Sequence, residues 1–454
     1  MSERFDRRDF LKTAALAGVG LSLDPGRLAA SVPPGSPGEF GGARAAPPLE
    51  TVRMGFVGVG HQGSSHVGNF VKIPGVEIRA ICDVTPGAAE RSAALVTRAG
   101  QPKPRLYTAG PLDYQRMIDR EDIELVFNAT HWDLHASVCR YAMRAGKHAA
   151  TEVPFAVTLD ECWELVETAE QTRKHCVMME NCCYDRTEMM ILNMVRNGFF
   201  GELIHAEGGY LHDLRELKLT DFYFDRWRVK HAIARNGDLY PTHGIGPIAQ
   251  WLDINRGNQF EYLVSLGSPT RGLNLWAAEH IGADSPEARQ RYALSDVVNT
   301  LIRTRNGPTI LLTHDTNLPR PYSRKILLQG TRGLIRKYPE EKVHIEGRST
   351  AHAWEATTEY LKVWEHPIWK ELEEQSRGAG HGGMDYIEDF RLIRALREGL
   401  PTDLDVYDGA AWTSIIMLSE RSIAARSAPQ EFPDFTRGAW PQRAPLSLGE
   451  TRVG

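Results

Sequence analysis

Short apolar runs alternate with glycine-rich turns and helix-spaced segments through the first half of the chain after about residue 50. Val52 to Val57 has the composition of a buried strand, and Ser64 to Val71 suits a helix. Val76 to Cys82 predicts a second strand, and Ile123 to Thr130 a third. A turn at His131 to His135 leads into a helix running to Gly146, and His148 to Glu152 predicts another strand. Strand, helix, strand in this order predicts a parallel sheet with crossover helices. The stretch TEVPFA, Thr151 to Ala156, then lies at the carboxyl edge of that sheet, where such sheets bind ligands.

Gly58-Val59-Gly60-His61-Gln62-Gly63 joins the first strand to the first helix. GxGxxG alone is weak evidence, but between strand and helix each glycine has a task. Gly58 permits the tight turn, Gly60 lets a pyrophosphate approach the backbone, and Gly63 lets helix and strand pack. Asp83 ends the second strand 20 residues after Gly63, where an acid binds ribose hydroxyls and repels a 2′-phosphate. NAD is therefore expected over NADP. Trp132 and His135 each have two readings: loop packing or helix capping on one side, cofactor contact on the other.

The 454 residues suit two domains, with 42% apolar and 24% charged residues and a net charge of -5. This balance gives no reason to expect nucleic acid as partner. Asp6-Arg7-Arg8-Asp9-Phe10-Leu11-Lys12 resembles a twin-arginine export signal, and the following apolar run, Thr13 to Leu23, is too short to span a bilayer comfortably. No stable membrane span is expected, and a periplasmic or extracellular location is. Residues 30–49, rich in Pro, Gly and Ala, read as a linker with alternative cleavage sites at Leu28-Ala29-Ala30 and Ala43-Arg44-Ala45. The cysteines Cys82, Cys139, Cys162, Cys176, Cys182 and Cys183 lack CxxC pairing, so no metal site is expected.

The run NATHWDLHASVCRYAMRAGKHAATEVPFAVTLDE resembles the glucose-fructose oxidoreductase and inositol dehydrogenase (Gfo/Idh/MocA) superfamily. The resemblance implies an α/β protein: an N-terminal Rossmann doubly wound parallel sheet plus a C-terminal α/β domain with an open, mainly antiparallel sheet that often mediates oligomerisation. The expected boundaries are 1–49 for leader and linker, 50–180 for the NAD-binding domain, 181–426 for the substrate domain and 427–454 for a C-terminal arm or tail. Typical members carry Glu-Lys-Pro where this chain has Glu152-Val153-Pro154, and that lysine takes part in substrate binding and proton transfer. They also carry Asp-x-Gly-x-His before a helix. Anchoring on Trp251-Leu252 without gaps puts the Asp at Tyr240 and the His at Gly244, with His243 displaced by one.

Those departures, with Asn181-Cys182-Cys183-Tyr184, the run Gly208 to Arg215, NGDLYPTHGIGPIAQWLDINRG and Gly380 to Asp385, resemble glycoside hydrolase family 109, the NAD-dependent α-N-acetylgalactosaminidases. Beside Gly58 and Gly60, read from the glycine-rich turn itself, the resemblance implies NAD contacts at Gln62, Gly63, Asp83, Trp132, Asp133, Leu134, His135, Glu152, Val153 and Asn181. It implies sugar contacts at Tyr210, Arg228, Tyr240, Pro241, Thr242, His243 and Tyr322, from a glycan or small molecule with terminal N-acetylgalactosamine. His243 is the first candidate for proton transfer, then Tyr240 and, more weakly, Tyr184. Free NAD is scarce outside the cytoplasm, so an exported enzyme is expected to hold its NAD tightly and restore it in each cycle. The rival readings are an exported sugar oxidoreductase with bound NAD(P) and a non-catalytic sugar-binding protein.

Overall fold

The computed structural model describes residues 46–449, so the expected leader and both cleavage-site alternatives lie outside the described residues. Six strands form the first sheet: β1 (Val52–Val57), β2 (Val76–Cys82), β3 (Arg105–Tyr107), β4 (Leu125–Asn128), β5 (His148–Thr151) and β6 (Cys176–Met178). Their order is β3-β2-β1-β4-β5-β6, and every pairing is parallel. β4 and β5 are buried throughout, as strands covered by helices on both faces must be. The chain reverses direction across the sheet between β1 and β4, which opens a crevice at their carboxyl ends. The helix after the glycine-rich turn begins at His61, three residues before the sequence pattern places it, and ends at Phe70.

Nine strands form the second sheet: β7 (Leu203–Leu211), β8 (Phe260–Gly267), β9 (Val297–Thr304), β10 (Thr309–Asp315), β11 (Leu327–Gly330), β12 (Gly333–Arg336), β13 (Lys342–Ile345), β14 (Glu355–Ala356) and β15 (Gln430–Glu431). Only β7 and β10 pair in parallel. β9 alternates buried and exposed positions, so one face is covered and the other presents residues such as Leu301. Residues 427–449 form an arm laid on both domains: β15 pairs with β8, and Phe435 is buried against Trp163.

Two C-terminal helices return to the first domain. Met384–Glu398 packs on the helix His61–Phe70, and Val406–Ala424 packs on the helix Leu159–Thr172. The second anchors the TEVPFA turn, because the Phe155 amide donates to the Thr413 hydroxyl at 3.0 Å. A β-carbon on Gly409 would sit 2.9 Å from the Phe155 ring, so the glycine makes room for it. Val153 is buried, and its bond to Pro154 is cis.

The helix Thr242–Trp251 lies on β7 backbone to backbone. A β-carbon on Gly244 would stand 2.2 Å from the Gly209 nitrogen, and one on Gly208 would stand 2.8 Å from the Gly244 oxygen. No side chain fits between them. Gly244→Ala is therefore expected to cost about 1–3 kcal/mol or more, whereas Gly68→Ala, in open space within the helix His61–Phe70, is expected to gain about 0.5–1 kcal/mol. Thermal melts of the two variants check both signs.

Candidate active site

The glycine-rich turn has the form a dinucleotide needs. Gly58 sits at φ +80, and a side chain there would meet the Ala129 backbone at 2.8 Å. A β-carbon on Gly63 would stand 2.2 Å from the Gly58 oxygen, while Gly60 faces nothing within 4 Å. The helix it opens has no side-chain cap and no acid in its first turn, leaving an N-terminus suited to phosphate. Asp83 closes the turn, accepting from the Val59 amide at 2.8 Å and the Thr85 amide at 2.7 Å. These residues fit NAD.

Across the crevice, Glu152 Oε1 lies 2.8 Å from His66 Nε2, and its Oε2 accepts from the Val153 amide at 3.2 Å. Asn181 Nδ2 donates to Asp385 Oδ1 at 2.7 Å, and Gln62 Nε2 donates to Asp385 Oδ2 at 3.2 Å. Burial raises the Asp385 carboxyl's pKa, but His381 and the other donors outweigh it and leave it at about 2. His135 is buried, with its ring nitrogens 2.6 Å from the Pro154 oxygen and 3.1 Å from the Thr130 oxygen. Its side chain thus pins the TEVPFA turn to the loop after β4 and has no nitrogen left for a ligand. Asp133 is half exposed beside His231, and Leu134 packs against the core.

On the other wall, the YPTHG turn faces the cofactor loop. Tyr240 stacks on Trp132 at 5.7 Å between ring centroids, and Tyr210 lies 4.5 Å from Tyr240 and 5.4 Å from His243. Tyr322 closes the row, 6.3 Å from Tyr210 and 40% exposed. The Arg228 guanidinium stands over four rings, 5.2 Å from Trp132, 5.0 Å from Tyr223, 5.1 Å from Trp227 and 5.2 Å from Tyr240. Such a cage holds a weakly hydrated cation without a carboxylate. Burial raises the Tyr210 phenol to about 12 and pushes Tyr240 well above its ordinary value, so both are hydrogen-bond donors at neutral pH.

His243 Nδ1 lies 2.7 Å from Glu180 Oε1, and the Cys182 amide also donates to that oxygen at 3.1 Å. Burial pushes the Glu180 carboxyl up, yet His243, Thr242 and the Cys182 amide more than offset this, leaving its pKa lowered. A fully buried anion against Nδ1 fixes the imidazole with its proton on Nδ1 and leaves Nε2 free to accept one. Thr242 and Pro241 are buried under the turn. Tyr184 stands apart from this group, since its buried hydroxyl donates to Asp403 at 3.0 Å and burial holds it well above the ordinary tyrosine range.

Residues 52–180 match the oxidoreductase family described as "NAD-binding Rossmann fold". Residues 184–442, more than half of the chain, match the C-terminal domain of glycosyl hydrolase 109. The chain belongs to glycosyl hydrolase family 109. A family 109 protein of Shewanella pealeana is 44% identical over 455 residues, covering 98% of this chain and 99% of the relative. A Shewanella oneidensis protein named alpha-N-acetylgalactosaminidase is 42% identical over 451 residues, covering 97% and 98%. Among solved structures, levoglucosan dehydrogenase with NADH and levoglucosan matches with a TM-score of 0.63 at 22% identity, over 84% of this chain and 100% of that one. An NAD-binding oxidoreductase from Klebsiella pneumoniae matches with a TM-score of 0.67 at 15% identity, over 85% and 100%. At these identities the two structures speak for the fold, and the family 109 chain is a glycoside hydrolase with an NAD-binding domain.

Sequence reasoning left Glu180, His66 and Asp389 unassigned. Glu180 had a signal, an acid at the end of the apolar run Cys176 to Met179. His66 lies one helical turn after Gln62, on the same face. Lys218 and His314 had none; they line a small cavity of about 10 Å³ behind Tyr210 and Tyr240, room for one water. Burial lowers Lys218 to about 7 and His314 to about 3.

Asp238 supports the YPTHG turn by accepting from the Tyr240 amide at 3.3 Å, and burial raises its pKa from 3.8 to about 7. Between those values the folded chain holds a proton that the unfolded chain has lost, so this group's contribution to stability falls as pH rises. Asp238→Asn is expected to match the parent below pH 3.8 and to be more stable above pH 7, by up to about 4 kcal/mol. Denaturant melts across that range check the sign.

Proposed function

We propose that this protein is an exported α-N-acetylgalactosaminidase that holds NAD tightly and hydrolyses its substrate with no net redox change. The observation that carries the reading is the Glu180 and His243 pair on a turn stacked, through Tyr240, against Trp132 of the cofactor loop. NAD, when bound, supplies a reversible hydride acceptor for carbon 3 of the sugar.

The chain's own residues do the proton work. With carbon 3 a ketone, the proton on carbon 2 is acidic, and His243 Nε2 takes it as the group on carbon 1 leaves. Glu180 keeps the charged imidazole in place, because the pair is then a buried ion pair rather than an isolated cation. The departing oxygen takes up a proton and leaves as an alcohol. Water adds at carbon 1 and gives one up, and His243 delivers a solvent-exchanged proton to carbon 2. Carbon 3 then regains its hydride and its oxygen a proton. Tyr210 and Tyr240 act as donors to sugar oxygens, and Arg228, whose Nε has no protein partner, donates from its aromatic cage. Val153 places an apolar side chain where other members of the superfamily carry an amine, in keeping with a relocated proton-transfer group. No pair of glycosidase carboxylates is needed for this route.

The twin-arginine leader and the family name of the Shewanella oneidensis relative support export and the choice of sugar. An aryl α-N-acetylgalactosaminide is expected to be cleaved without an electron acceptor, with solvent deuterium appearing at carbon 2 of the product. His243→Ala is expected to lower kcat by about 10²–10⁴-fold. Steady accumulation of reduced nicotinamide with a free sugar, and no glycoside cleavage, would instead mark an oxidoreductase and overturn the proposal.

A further inference from the structure

Three residues expected to touch NAD come from three separate segments: Gln62 on the first helix, Glu152 after β5 and Asn181 after β6. All three are tied to one later helix, Met384–Glu398, through two acids one turn apart. Asp385 accepts from Gln62 and from Asn181. Asp389 accepts from His66 Nδ1 at 2.8 and 2.9 Å and from Asn69 Nδ2 at 3.0 Å, and His66 Nε2 in turn lies 2.8 Å from Glu152.

We propose that Asp385, Asp389 and His66 are positioning residues, which hold Gln62, Glu152 and Asn181 in the geometry that retains NAD. The inference rests on the reading that those three residues contact the cofactor. It goes further in assigning cofactor retention to a helix that follows every strand of the second sheet except β15 in sequence.

The charge pattern supports the arrangement. His66 is buried between two carboxylates, and each of its ring nitrogens faces one of them, which is the setting of an imidazolium donating at both ends. Burial drives its pKa down, but Asp389 and Glu152 more than reverse this and leave it well above the ordinary histidine value. The contact with His66 holds the Glu152 side chain in one orientation, and it stays 17% exposed. Glu388 is buried beside the pair with neither oxygen partnered, and burial and Asp389 push its carboxyl well above the ordinary range. A free carboxylate at Glu152 would sample several rotamers, and each lost rotamer would have to be recovered from the cofactor's binding energy.

The test is calorimetric titration of the full chain with NAD. Glu152→Gln is expected to weaken binding by roughly 10-fold, the size of one charge-assisted hydrogen bond. Asp389→Asn and His66→Gln are expected to weaken it by a similar factor, and the double variant Glu152→Gln with Asp389→Asn by no more than either alone, because both act through one contact. Asp385→Asn is expected to weaken it independently, through Gln62 and Asn181. Arg394→Ala, on the exposed side of the same helix, serves as the control and is expected to bind normally. If Glu152→Gln binds NAD as the parent does, the reading that Glu152 touches the cofactor fails. If Glu152→Gln is weakened while Asp389→Asn and His66→Gln bind normally, or if the double variant is additive, the positioning role alone is overturned. Thermal melts identify any variant that fails to fold, and Asp385→Asn and His66→Gln carry the test should Asp389→Asn be lost.

Discussion

The site depends on one steric constraint, the contact of the helix Thr242–Trp251 with β7 where Gly244 meets Gly208 and Gly209. With no side chain between Gly244 and the Gly208-Gly209 backbone, the helix start is set by backbone against backbone, and its first turn has one orientation. That orientation turns His243 to Glu180 and Tyr240 to Trp132. It also bears on the displaced histidine of YPTHG: anchoring on Trp251-Leu252 without gaps puts the dehydrogenases' histidine on Gly244, which is pressed against a strand. A histidine could not occupy it without moving the helix.

Buried charge is the second theme. Glu180, Asp385 and Asp389 are each buried, and each is matched by an imidazole or by amide donors. Further back, Glu188 pairs with Arg324 at 2.6 Å and Lys337 at 2.9 Å, both of which also reach Asp185. Pairs of this kind add little net stability against apolar packing, but breaking one leaves an uncompensated charge, so they specify a single arrangement. Here they join segments far apart in sequence: a helix beyond residue 380 fixes the cofactor edge, and a strand-connecting loop near residue 324 fixes the helix Arg186–Arg196. Arg228 is held differently, by aromatic rings and the Tyr223 hydroxyl, which accepts from its Nη1 at 3.0 Å, while its Nε has no protein partner.

Much of this was legible in the chain. β1 and β2 have the bounds their apolar runs predict, and the glycines at 58 and 63 meet the steric demands read from their spacing, while Gly60 faces open space. The second domain was legible only by resemblance, because its central strand β7 pairs with β10 and β11, which lie far later in the chain, and no local motif marks those pairings. His135 shows the limit of reading one residue: placed at a strand end, it suggests a ligand contact, yet both its ring nitrogens face carbonyl oxygens of neighbouring turns. Tyr184 lies three residues beyond Asn181, but the intervening turn sends its hydroxyl to Asp403, away from the rings of Tyr210 and Tyr240.

The sequence by itself determined the nucleotide-binding turn, the parallel sheet and the family, since each follows from local spacing of glycines, apolar runs and motifs. Only the tertiary structure decided which acids serve which bases. Glu180 precedes His243 by 63 residues, and His66 and Asp389 are 323 apart. No local pattern encodes such a pair. It exists because two sheets and two returning helices exclude water around it, and a carboxylate there must find its cation or lose its charge.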